Sequence, residues 1–492
     1  MRTSYLLLSL VVAILAIGLA SCGVSSVPPI PVGDFNLSIS SQSLFVPIGS
    51  GAETLQVSVQ PTGGFNQPVT VSLSGLPEGV TSTPSSPFTL APGGSQTVTF
   101  SAARGIFPGV STITVAGIAR GSETSLSHSG MFSLSAAAPV YAYTRSDVAN
   151  SVLGYSVDAN TGALAPLKGS PFAASAGLVV KTEQGAVMLS FLLSPIGEVN
   201  GLASYVIDPA TGSLTPGQII NDDTLRNSID VSPNPNGKFL HVVMPDCIRA
   251  YLIDPANGNL TLSSCSTVPA TPWHFVVVPP GNVAYAAVGG LLSGTQVYLF
   301  SVNQNDGSLT LVQSSKSPFP FYGEMSSDPL GRALYILQQA YFFGSVWHCG
   351  GVVAFGIDQQ TAGLTPFPLS GGCVVHSITF DPAGRYEYVT NGPNPVDLFL
   401  SPKPASISGY SCDSSGCSSP VTGSPFATQL SPQVGVVEPS QGKFLIEVIG
   451  SSPYTLTSFV IDAHTGALSE VPGTTIALPN KFSLGLQIVA MP

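Results

Sequence analysis

The sequence predicts an all-β chain, a β-sandwich followed by a closed seven-bladed β-propeller, and three observations carry that expectation. The first is a recurring phrase. YSVDANTGAL (residues 155–164) returns as YVIDPATGSL (205–214), YLIDPANGNL (251–260), FSVNQNDGSL (300–309), FGIDQQTAGL (355–364) and FVIDAHTGAL (459–468), with a shortened copy, GYSCDSSGC, at 409–417. Seven copies at a mean spacing of about 51 residues have the period of a propeller blade. The second is a phrase that precedes most copies: VSPNPNGKFLHVV (231–243), VVPPGNVAYAAV (277–288), SSDPLGRALYIL (326–337), TFDPAGRYEYVT (379–390) and VEPSQGKFLIEV (437–448), with a looser KTEQGAVMLSFL at 181–192. It reads strand, Pro/Gly turn, strand, so each unit holds an inner and an outer hairpin, four strands in all. The third lies at the ends of this region. PVYAYTRSD (139–147) has a blade's second strand without its first, and LGLQIVA (484–490) is a first strand with nothing after it. Joined, they complete one blade and leave no open edge.

The turn chemistry explains the spelling of the outer hairpin. Asp or Asn after the first strand can bond back to nearby amides, and the Gly near the end of the turn can take φ > 0 where a side chain would strain. A cation at these aspartates is the alternative, but each copy offers a lone carboxylate and no calcium-type ligand run.

Residues 1–22 read as an address. Arg2 is the only charge before the apolar run 6–17, which is short for a membrane span. Leu19-Ala20-Ser21-Cys22 resembles the lipobox of bacterial lipoproteins, which implies lipidation of Cys22 and anchorage in the cell envelope, in the outer membrane since Gly23 is not the Asp that would imply inner-membrane retention. An ordinary secretory signal or a short anchor is the alternative. Residues 23–34 are a Pro/Ser-rich tether. Residues 35–136 carry short alternating strands every 10–15 residues, divided by clusters such as PTGGFNQP and LAPGGSQ, as a sandwich requires. GGFNQPVTVSLSGLPEGV and LAPGGSQTVTF resemble a bacterial immunoglobulin-like domain, read as a spacer. The propeller spans 139–492.

Charged residues are only 8% of the chain and the net charge is −11, which argues against nucleic acid as a partner. Besides Cys22 there are six cysteines, Cys247, Cys265, Cys349, Cys373, Cys412 and Cys417. An even number in an exported chain suggests disulfides, with neighbours inside single blades as the simplest of the 15 connectivities. Zinc is the alternative, without a CxxC or a finger-spaced His to support it.

A propeller's natural site is the mouth of its central channel. Counting back from each inner turn places Leu178, Asn227, His274, Gly323, His376 and Gln433 there, with Arg226, Trp273 and Glu324 beside them and Lys481 and Phe482 near the closing strand. Two histidines at one equivalent position stand out in a chain with six. His274, His376, Glu324 and Arg226 are therefore the catalytic candidates, as base and as charge stabilisers, and Asn227, Trp273, Gln433 and Lys481 the binding candidates. Simple solvation of a water-filled channel is the competing reading, and a metal held by His274, His376 and Glu324 a further one. His241, His348 and His464 fall in strand or turn positions. No phosphate loop, GxSxG elbow, HExxH or haem motif occurs, and no cofactor is expected.

The repeated "DP-x-G-[KR]" and "ID-x-x-TG-x-L" turns, as in FDPAGRYEYVTN and YVIDPATGSLTP, resemble the seven-bladed lactonase family, which includes 6-phosphogluconolactonases and is related to YVTN-type surface propellers. The resemblance covers about 70% of the chain. It implies lactone hydrolysis without a metal or organic cofactor, and it carries over no fixed catalytic motif. Phosphogluconate fits poorly. The propeller has twelve Lys/Arg, of which Lys238, Arg332, Arg385 and Lys443 belong to the inner turns. Two functions follow: an envelope lipoprotein presenting the propeller to an envelope protein, glycan or small molecule, or a lactone hydrolase with its site at the channel mouth.

Overall fold

In a computed structural model, the structure describes residues 33–491 apart from 50–51, 104–108, 121–124, 147, 149, 194–198, 291–293, 318–323, 339–340, 344–345, 349, 369–373, 394–403, 414–415, 451–452 and 479–484. The signal and Cys22, most of the tether, and Gly323, Cys349, Cys373, Lys481 and Phe482 lie outside the described residues.

The N-terminal unit is two packed sheets. One holds Asp34–Ile39, Glu53–Thr62, Ser95–Ala102 and Val80–Thr83 in that spatial order; the other holds Ser43–Pro47, Ser125–Ala137, Gly109–Arg120, Val69–Ser74 and Phe88–Leu90. Alternation decides the faces: Leu55, Val57 and Val59 point inward from one strand while their neighbours stay outside. They meet Val71, Val115 and Leu134 of the facing sheet, and Phe100 meets Phe132 edge-on at 5.7 Å across the layer.

The remainder is a seven-bladed β-propeller. Seven antiparallel sheets follow one another, each with a four-strand path from channel to rim. Blade 1 takes its inner strand from the C-terminus: Leu486–Ala490 pairs with Val140–Arg145, with Val140 opposite Ala490 and Thr144 opposite Leu486. The other inner strands are Gly177–Lys181, Asp230–Pro233, His274–Val278, Met325–Ser327, Val375–Phe380 and Pro432–Val437, of blades 2 to 7 in turn. Second strands are largely buried, Phe239–Val243 and Tyr386–Asn391 along their whole length, because both sheet faces pack on neighbouring blades. That burial is why they read as continuous apolar runs.

The turns behave as their chemistry dictates. Asp158 Oδ1 accepts from the amides of Asn160 and Thr161 at 3.0 and 2.7 Å, and Asp208, Asp358 and Asp462 repeat the pattern. Gly162, Gly212, Gly258, Gly307 and Gly466 close these turns at φ between 68° and 71°, and blade 5 puts Ala362 there at φ 55°. In the inner turns, Asp328 accepts from Arg332 Nε at 2.7 Å and Asp381 from Arg385 Nε at 2.9 Å. Lys238 Nζ and Lys443 Nζ donate to the Gln304 and Asn160 carbonyls of the following blade. All four cations are thus committed to the scaffold.

A second tie between blades has no counterpart in the sequence reading. At the middle of the second strand, Tyr143, Tyr285 and Tyr388 donate their hydroxyls to the carbonyls of Gly212, Ala362 and Gly466, each in the next blade's outer turn, at 2.6–2.8 Å. His241 Nε2 donates to Gly307 O at 2.9 Å in the same way. Burial pushes the tyrosine hydroxyls up, so they stay protonated donors. Tyr335 meets the degraded copy in blade 6, and its hydroxyl accepts from Cys417 N at 3.3 Å. That hairpin is closed by the Cys412–Cys417 disulfide, and Cys247–Cys265 staples blade 3.

Candidate functional site at the channel mouth

All seven inner strands line one cavity of about 760 Å³ along the propeller axis. Pairing against the second strands gives the register at its mouth. Two positions beyond His241 and Tyr285, the residue across the ladder is Asp230 in blade 3 and His274 in blade 4, and in blade 2 Gly177 stands opposite Ser190 at the corresponding level. Glu324 follows in blade 5, its carbonyl accepting from Leu337 N at 2.9 Å. In blades 6 and 7 a β-bulge inserts one extra residue at this level, His376 between Val375 and Ser377, and Gln433 between Pro432 and Val434. A bulge turns an extra side chain out of the ladder, here at the rim of the cavity.

The cavity therefore brings together His274, Glu324, His376 and Gln433 of the sequence candidates, with Leu178 in its wall. It does not bring in Arg226 and Asn227. Residues Asp223–Asn227 wind into a 3₁₀ turn capped by the Asp222 side chain on Thr224 N, and Arg249 holds Asp222 at 2.9 Å. This turn takes up the residues counted as lead-in, leaves Arg226 and Asn227 exposed, and starts the strand at Asp230. Trp273 is a second correction: it precedes the strand, its residue is 54% exposed, and it lines no part of the cavity. Asp230, Ser377 and Gln487 line the cavity and escaped the sequence reading; counting from the buried second strand, instead of from the turn, would have found Asp230.

Several of these groups also tie one inner strand to the next. Asp230 Oδ2 accepts from Phe275 N at 2.8 Å, Ser232 Oγ from Val277 N at 3.1 Å, Ser377 Oγ from Gly435 N at 3.1 Å and Gln487 Oε1 from Val179 N at 3.2 Å. His274 Nδ1 stands 3.6 Å from Asp230 Oδ2, an ion-pair separation. His376 Nδ1 is 2.8 Å from the Pro432 carbonyl. A carbonyl can only accept, so Nδ1 carries the hydrogen and, in the neutral ring, the lone pair is on Nε2. Nε2 packs beside Gly392, where a Cβ would come within 2.8 Å of it. Gly392 thus leaves the ring its room. Among the described lining residues the charged groups are Asp230 and Glu324, with no Lys or Arg, so the wall is acidic.

No family model matches the chain, and no curated protein does. Among solved structures, the chain is similar to a candidate 6-phosphogluconolactonase of Bacteroides uniformis, at 17% identity and TM-score 0.53, over 72% of this chain and 100% of that one. A corresponding Bacteroides fragilis protein is 15% identical at TM-score 0.50, over 72% and 98%. The periplasmic gluconolactonase of Pseudomonas aeruginosa is 16% identical at TM-score 0.50, over 72% and 99%. At these identities the likeness shows a shared lactonase-like propeller fold.

Proposed function

We propose that the channel mouth binds a small lactone lacking a phosphate and opens it by hydrolysis, in an exported protein held to the cell envelope through Cys22. The observation that carries this reading is the convergence of two imidazoles and two carboxylates, from four different blades, on one cavity. The gluconolactonase and 6-phosphogluconolactonase names of the structural neighbours support the substrate class.

In this reading His376 is the base. Its Nδ1 is spent on Pro432, and Nε2 takes a proton from the attacking water. Water oxygen bonds to the lactone carbonyl carbon, the ring C–O bond breaks, and the proton passes on to the leaving ring oxygen to give the open hydroxy acid. His274 beside Asp230 supplies the second imidazole, able to donate to an oxygen that gains charge. An acidic wall disfavours a dianionic phosphate, which sets 6-phosphogluconolactone aside as substrate.

One observation favours a second reading, a binding or scaffold module. Both Asp230 oxygens accept backbone amides, Val231 N at 2.8 Å and Phe275 N at 2.8 Å, as a purely structural ring would use them. Lactone hydrolysis by the full chain, followed as acid release over a panel of sugar and acyl lactones, separates the two. Hydrolysis predicts turnover that falls by roughly 10²–10⁴-fold in His376→Ala. A wild-type rate no higher than the uncatalysed one sinks the hydrolase and leaves the binding module.

A further inference from the structure

Among the described residues, one disulfide has an acid set against it, the Cys412–Cys417 bridge in the outer hairpin of blade 6. Its two ends differ in access. Cys417 is fully buried, whereas Cys412 is part-exposed between the exposed Ser411 and Asp413. On the second strand of the same blade Glu387 is fully buried, and one of its carboxyl oxygens lies within 4.8 Å of both sulfurs. Neither oxygen has a hydrogen-bond partner of ordinary geometry among the described residues. Burial holds this carboxyl well above the ordinary carboxylate range; the Tyr335 hydroxyl offsets that only in part, and the Asp328 charge adds to it. Glu387 therefore keeps its proton, and the sulfurs are the acceptors beside it. The Cys247–Cys265 bridge of blade 3 also has a buried end and an exposed one, Cys247 and Cys265. Among the described residues, however, no His or carboxylate joins its two sulfurs in such a group.

We infer that Cys412–Cys417 is a thiol–disulfide exchange site, with Glu387 as its general acid and a small-molecule thiol as its reaction partner. When a disulfide is attacked, the departing sulfur carries away the bonding pair, and a group that protonates it as it leaves speeds the break. Access directs the attack to Cys412. The incoming thiolate bonds to Cys412 Sγ, the Cys412–Cys417 bond breaks, and its electron pair stays on Cys417 Sγ, which takes the Glu387 proton. A second thiolate then attacks the bound thiol's sulfur, and the two leave together as a free disulfide. Cys412 and Glu387 recover the protons that the two thiols gave up. Two thiols are oxidised and one protein disulfide is reduced, with no further reactant. Cys412 packs against the cluster of Tyr335, Val389 and Tyr410. A recessed sulfur of this kind suits a thiol on a thin arm better than a folded protein surface.

The test exposes the full chain, wild type and Glu387→Gln, to reduced glutathione near neutral pH. Samples are quenched with acid, and each bridge is followed by thiol alkylation and peptide mass. In the wild type Cys412–Cys417 should open with the first glutathione adduct on Cys412. Glu387→Gln should slow that opening by roughly 100-fold, while Cys247–Cys265 opens at the same rate in both proteins. Thermal melts check that the variant folds. An unchanged or faster opening of Cys412–Cys417 in folded Glu387→Gln overturns the inference, as does a first adduct on Cys417 or a bridge that stays closed in the wild type. If Glu387→Gln does not fold, Glu387→Asp takes its place, since it draws the acid back from the sulfurs by one methylene. Slower opening of this bridge alone then sustains the site, and an unchanged rate overturns it.

Discussion

Where blades 1, 4 and 6 use a phenol to clasp the next blade, blade 3 uses the buried imidazole of His241. The geometry is equivalent but the titration is not. Burial pulls His241 down to about 4 from an ordinary 6.5, despite its bond to Gly307 O. A folded pKa below the unfolded one means that the unfolded chain binds the proton first. Stability is therefore full above pH 6.5 and is lost as pH falls toward 4, by about 3 kcal/mol if the whole shift is expressed. Glu387 and Glu447, both raised by burial, act with the opposite sign, costing stability as pH rises above the ordinary carboxylate range. They are common to wild type and variant, so a comparison at each pH cancels them. His241→Tyr, copying the neighbouring blades, should keep the clasp and remove the acid sensitivity. Urea unfolding from pH 7 to 4.5 should show the variant gaining on wild type by about 2–3 kcal/mol. Parallel curves would show that the imidazole does not titrate with unfolding.

At the scale of single elements, the outer turn was the most legible feature of the chain because its chemistry is local. Asp158 or Asp462 needs only amides two and three residues ahead, so the spelling repeats wherever the turn does. The interblade clasp stayed hidden because its partners, such as Tyr388 and Gly466, lie some 78 positions apart and a buried Tyr reads as core. The channel ring was half legible. His274, His376 and Gln433 followed from the repeat, but the 3₁₀ turn displaced Arg226 and Asn227 and hid Asp230. The same turn yields a prediction. Ala362 alone among these turns holds φ 55° with a Cβ, and an L-residue there costs about 1 kcal/mol relative to Gly. Ala362→Gly should raise stability by about 1 kcal/mol, read as a higher denaturation midpoint. A lower midpoint would mean that unfolded-chain entropy outweighs the relieved strain.

On the scale of the whole molecule, closure depends on seven residues at the C-terminal end. Leu486–Ala490 supplies the inner strand of blade 1, and Gln487 reaches on to Val179 N in blade 2. Without that strand, Val140–Arg145 becomes a bare edge in the middle of the ring, and the channel loses one of its seven walls. Leu486, Val489 and Met491 are each no more than 4% exposed. At about 2 kcal/mol for each buried side chain, losing them removes roughly 6 kcal/mol, comparable with the whole net stability of an ordinary domain. A chain ending at residue 485 should therefore lose its sharp thermal transition and elute as aggregates in size-exclusion chromatography, whereas the same chain given a synthetic peptide of residues 485–492 should regain a monomer peak. A truncated chain that melts as cooperatively as the full one would show that the other six blades hold the ring without the closing strand. The channel-mouth site, which takes walls from all seven blades, would then have to tolerate a gap beside the second strand of blade 1.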